Sequence, residues 1–255
     1  MKNGKFPREY QIRSFETNTT GNLKPTVILQ YLQETAEFQL KVQDMDYVDM
    51  YTKLHKAYVV SRMCIQIHRQ LHKYDDVTVR TWTSDDRAAN FPRSFDVYRG
   101  DELAITAFSN WALIDTDSKT LVKRSEYDVS NYAWGEKQEL DIPTRFKIPK
   151  DVEMSKAGIH HVAYNDTDIN GHMNNAMYAD VLYNYVPNPR SWDITSMNFH
   201  YKHEAPLGSD MEIHTSELLT PGDMDPHADR IIYFQTFTGE GRSNIEACFG
   251  LAARK

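Results

Sequence analysis

The chain of 255 residues has little cysteine, no long hydrophobic run and no excess of positive charge. Its two cysteines, Cys64 and Cys248, lie far apart, which excludes a disulfide framework and a clustered zinc site. The 29 Lys and Arg against 36 Asp and Glu leave a net charge of −7, so no overall basic field attracts nucleic acid. The longest apolar runs, 111–114 and 247–253, fall well short of the roughly 18 residues of a membrane span. We therefore expect neither a nucleic-acid partner nor a membrane span.

The first six residues are polar and lack the apolar stretch of roughly 7–15 residues that a signal peptide carries. We expect the protein to lie in the cytoplasm, where both thiols stay reduced. Hydrophobic residues make up 40% and charged residues 25%, the proportions of an ordinary globular chain. The length fits one large or two small domains.

A helix is predicted from Pro25 onward, because Ile28, Leu32, Ala36 and Leu40 recur at helical spacing. Proline suits the first turn, and the first nine positions carry no charge, which indicates a helix covered on most sides. Period-2 alternation then predicts antiparallel strands at 58–68, 77–83, 95–99 and 104–114.

The same order of elements repeats in the second half of the chain. A strand is predicted at 161–164, a helix at 171–185, and further strands at 195–201, 211–218, 231–238 and 245–253. Gly21 then aligns with Gly171, which gives two modules, 6–127 and 158–255, joined by a polar linker, 128–157. We therefore expect an α+β protein in which a sheet wraps around a central helix twice. One continuous antiparallel sheet without a true repeat is the alternative.

Polar residues are densest at 165–175, where a strand gives way to the second helix. The string DTDING at 166–171 matches the opening of a calcium loop. However, Met177 stands where that loop needs a bidentate glutamate, and the preceding pattern is a strand. A calcium site is therefore not expected here.

Asp168, Asn170 and His172 bring a carboxylate, an amide and an imidazole to alternate positions. On an extended backbone they would share one face, beside a helix N-terminus that could stabilise an oxyanion, as acyl transfer requires. The alternative is that Asp168 or Asn170 caps the helix and His172 is a solvated residue of its first turn. The matching positions of the first module hold no ionisable group: Asn18, Thr20 and Asn22. We therefore expect one working site.

Other reactive side chains are interpreted as structural. Cys64 and Cys248 lie in strand-like apolar surroundings, where thiols are usually inert. Four further histidines have no spacing with a carboxylate that would suit a tetrahedral metal site: His160, His161, His200 and His203. No metal and no cofactor is expected.

The string DINGHMNNAMY at 168–178 resembles the signature D-x-N-x-H-V-N-N-x-x-Y of the acyl-acyl carrier protein thioesterases of plants and bacteria. Only Met173, in place of Val, departs from it. Further matches occur at 79–82, 93–95, 110–116 and 201–204, so the resemblance extends over nearly the whole chain.

The resemblance implies tandem hotdog domains, each an antiparallel sheet around a central α-helix. It implies that the second domain carries the catalytic residues Asp168, Asn170, His172 and Glu204. Plant members often have cysteine after this glutamate, whereas Ala205 stands here and excludes a thiol nucleophile at that position. With no plastid transit peptide at its start, the chain resembles a bacterial-type cytosolic enzyme.

The implied activity is hydrolysis of the thioester of fatty acyl-acyl carrier protein (acyl-ACP), which releases free fatty acid and ends chain elongation in fatty acid biosynthesis. Glu204 or Asp168 would activate water, directly or through His172. The first domain would bind the acyl chain, with Ile28 and Leu32 as candidate walls. Carrier proteins are acidic, so four basic residues are candidates for a docking patch: Arg62, Arg69, Lys73 and Arg80.

Three alternative functions remain open. The same chemistry could act on acyl-coenzyme A. A non-enzymatic acyl-binding protein could keep the fold, although it would have no need for the polar trio. Hydration or dehydration of an acyl chain shares the fold but uses motifs that are not found here. A homodimer is also possible, since two modules pair within one chain and leave their outer surfaces free.

Overall fold

In the computed structural model, which describes residues 4–42, 47–84, 90–123, 134–239 and 241–254, the helix expected from Pro25 is present as α1, Pro25–Lys41. Its apolar face is buried in the main core, and Pro25 stands in its first turn. A second, shorter helix, α2, follows at Tyr47–Lys53. The sequence does not predict α2, because its seven residues carry little apolar periodicity. Parts of both predicted modules lie outside the described residues.

The described residues form one ten-stranded antiparallel sheet. The strands of the first half are β1 (Phe6–Gln11), β2 (Lys56–Ile67), β3 (Asp76–Thr83), β4 (Phe91–Arg99) and β5 (Glu102–Asp115). Those of the second half are β6 (Ser155–His161), β7 (Trp192–Tyr201), β8 (Asp210–Thr215), β9 (Arg230–Thr238) and β10 (Arg242–Ala253).

The order of strands across the sheet is β1-β3-β4-β5-β2-β7-β10-β9-β8-β6. From the centre of the sheet outward, the strands of the two halves have the same order. Each half begins with the long strand that follows its helix, continues with its last strand and ends with its first strand at the edge. The sheet is continuous, because β2 pairs with β7 from Gln66 opposite Ser196 to Arg62 opposite His200. The fold is the expected α+β arrangement.

The second helix, α3, is shorter than predicted and runs only from Met177 to Tyr183. Residues 168–176 form turns instead of a helix, which corrects the predicted range 171–185. The strand predicted at 161–164 is also displaced, because β6 ends at His161 and a 3-10 turn, Tyr164–Asp166, follows it.

The two helices contact each other through Thr26 of α1 and Asp180 of α3. The Thr26 N–H donates to Asp180 Oδ1 at 2.9 Å, and the Asp180 N–H donates to Thr26 Oγ1 at 3.1 Å. Apolar residues from both halves join one core cluster. The two halves therefore share their packing as well as their sheet.

Residues 134–154, most of the predicted linker 128–157, cross the outer face of the sheet, and we call this segment the strap. Residues 128–133 lie outside the described part of the chain, and 155–157 belong to β6. The Trp82 Nε1–H donates to the C=O of Glu136 at 2.5 Å, and Asn198 Nδ2 donates to the C=O of Pro143 at 2.6 Å. Phe146 is buried against Tyr233, so the strap is packed onto both halves.

Candidate active site

The polar cluster after β6 forms a tight turn. The Asp168 N–H donates to the C=O of His172, and the Gly171 N–H donates to the C=O of Asp168, both at 3.0 Å. Gly171 has φ of +76°, a conformation that favours glycine because other residues clash there. The extended backbone expected for Asp168, Asn170 and His172 is therefore wrong, since the chain reverses at residues 169–170.

The Asp168 side chain supports this turn, because its Oδ1 accepts the backbone N–H of Asn170 at 2.8 Å. Neither residue caps α3, so that alternative is wrong as well. The N-cap is Ala176, whose N–H donates to Asn174 Oδ1 at 2.9 Å. The trio precedes the helix without opening it, and an oxyanion role for this helix stays a prediction.

Glu204 lies just beyond the end of β7, held by Asn244 of β10. The N–H groups of Lys202 and His203 donate to the C=O of Asn244 at 2.8 and 3.2 Å. The Asn244 side chain in turn donates from Nδ2 to the C=O of Glu204 at 3.0 Å. Asn244 is almost fully buried. Sequence patterns did not single it out, because only the pairing of β7 with β10 brings it here.

His172 and Glu204 form the closest ionisable pair among the four predicted site residues. His172 Nδ1 lies 3.2 Å from Glu204 Oε2, with side-chain exposures of 33% and 64%. A bridge between His172 and Pro206 aligns the two segments. A carboxylate beside Nδ1 favours the tautomer protonated there, which leaves Nε2 as the basic nitrogen.

All four predicted residues line one cavity of about 500 Å³. The first half contributes a mainly apolar wall, with Gln33, Glu37, Thr83 and Arg93 as its polar members; its apolar members include Ala36, Leu40, Val60, Phe91 and Trp111. Ile28 and Leu32, the expected walls, are buried in the main core and do not line this cavity. They lie on the core face of α1, whereas Ala36 and Leu40, further along the helix, reach the cavity.

Tyr47 of α2, in the first half, also lines the cavity. Its hydroxyl donates to Asn170 Oδ1 at 3.2 Å. Burial raises the pKa of Tyr47, so the phenol stays protonated and remains a donor at neutral pH. Sequence patterns did not identify Tyr47, because α2 lies far from residue 170 in the chain.

The two thiols lie away from this chemistry. Both are buried, and neither lines the cavity. Burial raises the pKa of Cys64 to about 12 and that of Cys248 still further. They are structural, as expected. Among the described residues, no group of three or more His, Cys, Asp and Glu is arranged to hold a metal ion, and no helix is long and apolar enough to cross a membrane.

Comparison with known protein families identifies the family of this chain. Residues 3–132 match the acyl-ACP thioesterase N-terminal domain, and residues 149–247 match the acyl-ACP thioesterase C-terminal domain. The chain belongs to the acyl-ACP thioesterase family. Among curated relatives, the chloroplastic palmitoyl-acyl carrier protein thioesterase of Cuphea hookeriana is 25% identical over 226 residues, which cover 81% of this chain and 53% of the relative. The chain spans about half the length of the curated relatives it matches.

Solved structures have the same fold as this thioesterase family member. An acyl-ACP thioesterase from Bacteroides thetaiotaomicron superposes with a TM-score of 0.81 at 18% identity and covers 96% of each chain. The 12:0-ACP thioesterase from Umbellularia californica superposes with a TM-score of 0.79 at 19% identity, and the match covers 98% of this chain and 94% of that chain. These similarities establish the tandem hotdog fold.

Proposed function

We propose that this protein hydrolyses the thioester of fatty acyl-ACP and releases the free fatty acid, the step that ends chain elongation in fatty acid biosynthesis. The observation that carries the proposal is the cavity itself. It joins the His172–Glu204 pair of the second half to a mainly apolar wall from the first half. Family membership supports the same activity. We place it in the cytoplasm, where the two buried thiols stay reduced.

In the proposed mechanism, His172 acts as the general base. Glu204 holds the proton on Nδ1, so Nε2 accepts a proton from water as the water attacks the thioester carbonyl. Collapse of the tetrahedral intermediate breaks the carbon–sulfur bond, and the imidazolium returns the proton to the leaving thiolate. The products are a carboxylic acid and a free thiol.

The other two predicted residues take different parts in this mechanism. Asn170 orients the water or the substrate, and its side-chain oxygen is itself positioned by Tyr47. Asp168 shapes the turn that presents His172, because one of its oxygens is engaged by the Asn170 N–H. This division makes Asp168 a positioning residue and Glu204 the partner of the base.

The two halves also have different roles: one binds the acyl chain and the other carries out catalysis. We assign acyl-chain binding to the first module, 6–127, because Ala36, Val60 and Trp111 line the apolar wall. Catalysis belongs to the second module, 158–255, which holds His172 and Glu204.

The test is release of free thiol from one long-chain acyl group carried on ACP or on coenzyme A, with wild type and His172→Ala side by side. Faster turnover of the ACP ester, lost in the variant, is expected. Equal or faster turnover of the coenzyme A ester would make the protein an acyl-CoA thioesterase. No turnover of either ester, with acyl binding intact, would make it a binding protein.

A further inference from the structure

The central strands separate at the cavity. β2 and β7 are paired as far as Arg62 and His200, and the pairing ends there. Beyond this fork, Val59 and Val60 on one side and residues 202–204 on the other line the cavity. The fork therefore lies at an edge of the cavity where the interior meets the outer face of the sheet.

Arg62 stands at this fork, half-buried, with one unsatisfied nitrogen in its guanidinium. Its Nη1 is buried, with no hydrogen-bond partner among the described residues. Burial and the nearby cation of Arg145 lower the pKa of the Arg62 guanidinium, against a smaller opposite effect of the Glu246 carboxylate. A buried N–H group without an acceptor is costly, because its lost hydration is not replaced. An anion placed between these two arginines would supply the missing partner.

Arg145 is brought to the fork by the strap. On either side of it, the C=O of Thr144 accepts the Cys64 thiol at 3.5 Å, and Phe146 is buried on the outer face. The Arg145 side chain is exposed, and no ion pair involves it within the described part of the chain. The two arginines therefore reach one place from a strand and from the strap that crosses it.

The other charged groups here are already engaged with each other. Lys202 Nζ donates to Glu246 Oε1 at 2.5 Å, and His200 Nδ1 lies 3.7 Å from Glu246 Oε2. Glu246 is the acid of this cluster and is shared by Lys202 and His200. It also attracts Arg62, but the three cations Arg62, Arg145 and Lys202 outnumber this one acid, so the cluster keeps a net positive charge.

Two of the four basic residues suggested from the sequence are likewise paired elsewhere. Arg69 donates to Glu102 at 2.8 Å, and Arg80 donates to Asp96 at 2.5 Å. Arg62 differs from both, because its Nη1 has no hydrogen-bond partner among the described residues.

We propose that Arg62 and Arg145 bind the phosphate of the phosphopantetheine arm that carries the acyl group. The proposal rests on the function proposed above and adds to it the recognition of the carrier. A guanidinium suits this ligand, since its N–H groups can pair with two phosphate oxygens at once. Neither arginine lines the cavity itself, but Val60 and Glu204 line it just beyond the fork. An arm held at the arginines would enter there and bring its thioester to His172. Acyl-ACP and acyl-coenzyme A both contain this phosphate.

The kinetic test compares two substrates with the same acyl group, S-acyl-pantetheine and S-acyl-4′-phosphopantetheine. Arg62→Gln and Arg145→Gln are each expected to raise KM for the phosphorylated substrate about tenfold, the effect of losing one charged hydrogen bond. KM for acyl-pantetheine stays the same. Lys150→Gln, an exposed cation of the same strap, is the control and changes neither value. An equal change for both substrates would overturn the proposal.

A binding measurement separates this inference from the proposed activity. Calorimetry with 4′-phosphopantetheine and with pantetheine needs no turnover. Binding that requires the phosphate and both arginines supports the site, even if no ester is hydrolysed and the proposed function fails. Equal affinity of wild type and Arg145→Gln for 4′-phosphopantetheine would overturn the site. Since Arg145 is exposed, its variant is expected to fold even if Arg62→Gln does not.

Acyl-ACP and acyl-coenzyme A distinguish the phosphate from the carrier protein's own surface. If Arg62→Gln and Arg145→Gln lose equal activity toward acyl-ACP and acyl-coenzyme A, the phosphate assignment is supported. A loss confined to acyl-ACP would overturn it, because the arginines would then contact acidic side chains of the carrier protein.

Discussion

The hydroxyl of Tyr47, in the first half of the chain, donates a hydrogen bond to Asn170 Oδ1, in the second half, at 3.2 Å. The proposed active site is therefore completed by a residue from the half that lacks His172 and Glu204. This bond fixes the orientation of the Asn170 amide, and so decides whether its oxygen or its NH₂ group is presented to the substrate. An unanchored amide would rotate and present its NH₂ group and its oxygen in turn.

Tyr47→Phe is expected to lower kcat several-fold, the effect of losing one neutral hydrogen bond of about 1 kcal/mol, with little change in KM. Thiol release across a range of substrate concentrations measures both values. Tyr51→Phe is the matched control, because Tyr51 stacks on Tyr47 from the same helix and does not line the cavity. Equal kcat values for Tyr47→Phe and wild type would show that the bond does not orient Asn170.

Glu204→Gln and His172→Ala are each expected to lower kcat by about 10²–10⁴-fold, the usual contribution of a general base. Because Glu204 acts through His172, the double variant loses no more than His172→Ala alone. His161 and Asp210 provide a control pair of the same chemistry, 2.9 Å apart on the surface. His161→Ala retains full kcat. Additive losses in the double variant would mean that Glu204 acts independently of the imidazole.

Asp180 makes stability depend on pH. Burial raises its pKa in the folded protein above the ordinary value near 3.9. Its contribution to stability is therefore complete below that value and is lost as the pH rises through the folded-state pKa. Asp180→Asn removes this loss and keeps an oxygen for the Thr26 N–H.

Between about pH 4 and about pH 7, the free energy of unfolding of Asp180→Asn should therefore rise relative to wild type. Urea denaturation at each pH measures the difference. Asp151→Asn, at an exposed site on the strap, should show no such trend. A constant difference between Asp180→Asn and wild type would contradict the predicted role of the carboxyl.

Ala36→Leu is expected to shorten the acyl cavity, since Ala36 lines its apolar wall. Turnover of long acyl chains should fall several-fold relative to short ones, as judged from kcat/KM for a series of chain lengths. Ile28→Val is the control. It should cost about 0.5–1.5 kcal/mol of stability and leave chain preference unchanged, because Ile28 lies in the core. A changed chain-length preference in Ile28→Val would show that Ile28 contacts the acyl chain.

The parts of the fold that local pattern determines were predictable. α1 follows from apolar spacing after Pro25, and β3, β5, β7 and β10 follow from alternation. The predicted site residues also meet at one cavity. Here the clue was a resemblance to a family, since nothing in the spacing of Glu204 relates it to His172.

What the sequence did not predict depends on contacts between distant segments. The turn at Gly171 replaces a helical start because its hydrogen bonds and positive φ favour reversal of the chain. Asn244 and Tyr47 reach the site from β10 and α2, and Arg145 reaches the fork on the strap. Polarity alone suggested that the strap was a linker, because only the finished outer face of the sheet buries Ile142 and Phe146.

The pairing of β2 with β7 also determines how the halves behave when separated. Each half covers the unpaired backbone edge of the other, and the strap is fastened across both. A chain cut at the strap would present two long open edges, which are templates for pairing with other molecules. We expect either half, expressed alone, to self-associate or aggregate, and the intact chain to unfold in one cooperative transition.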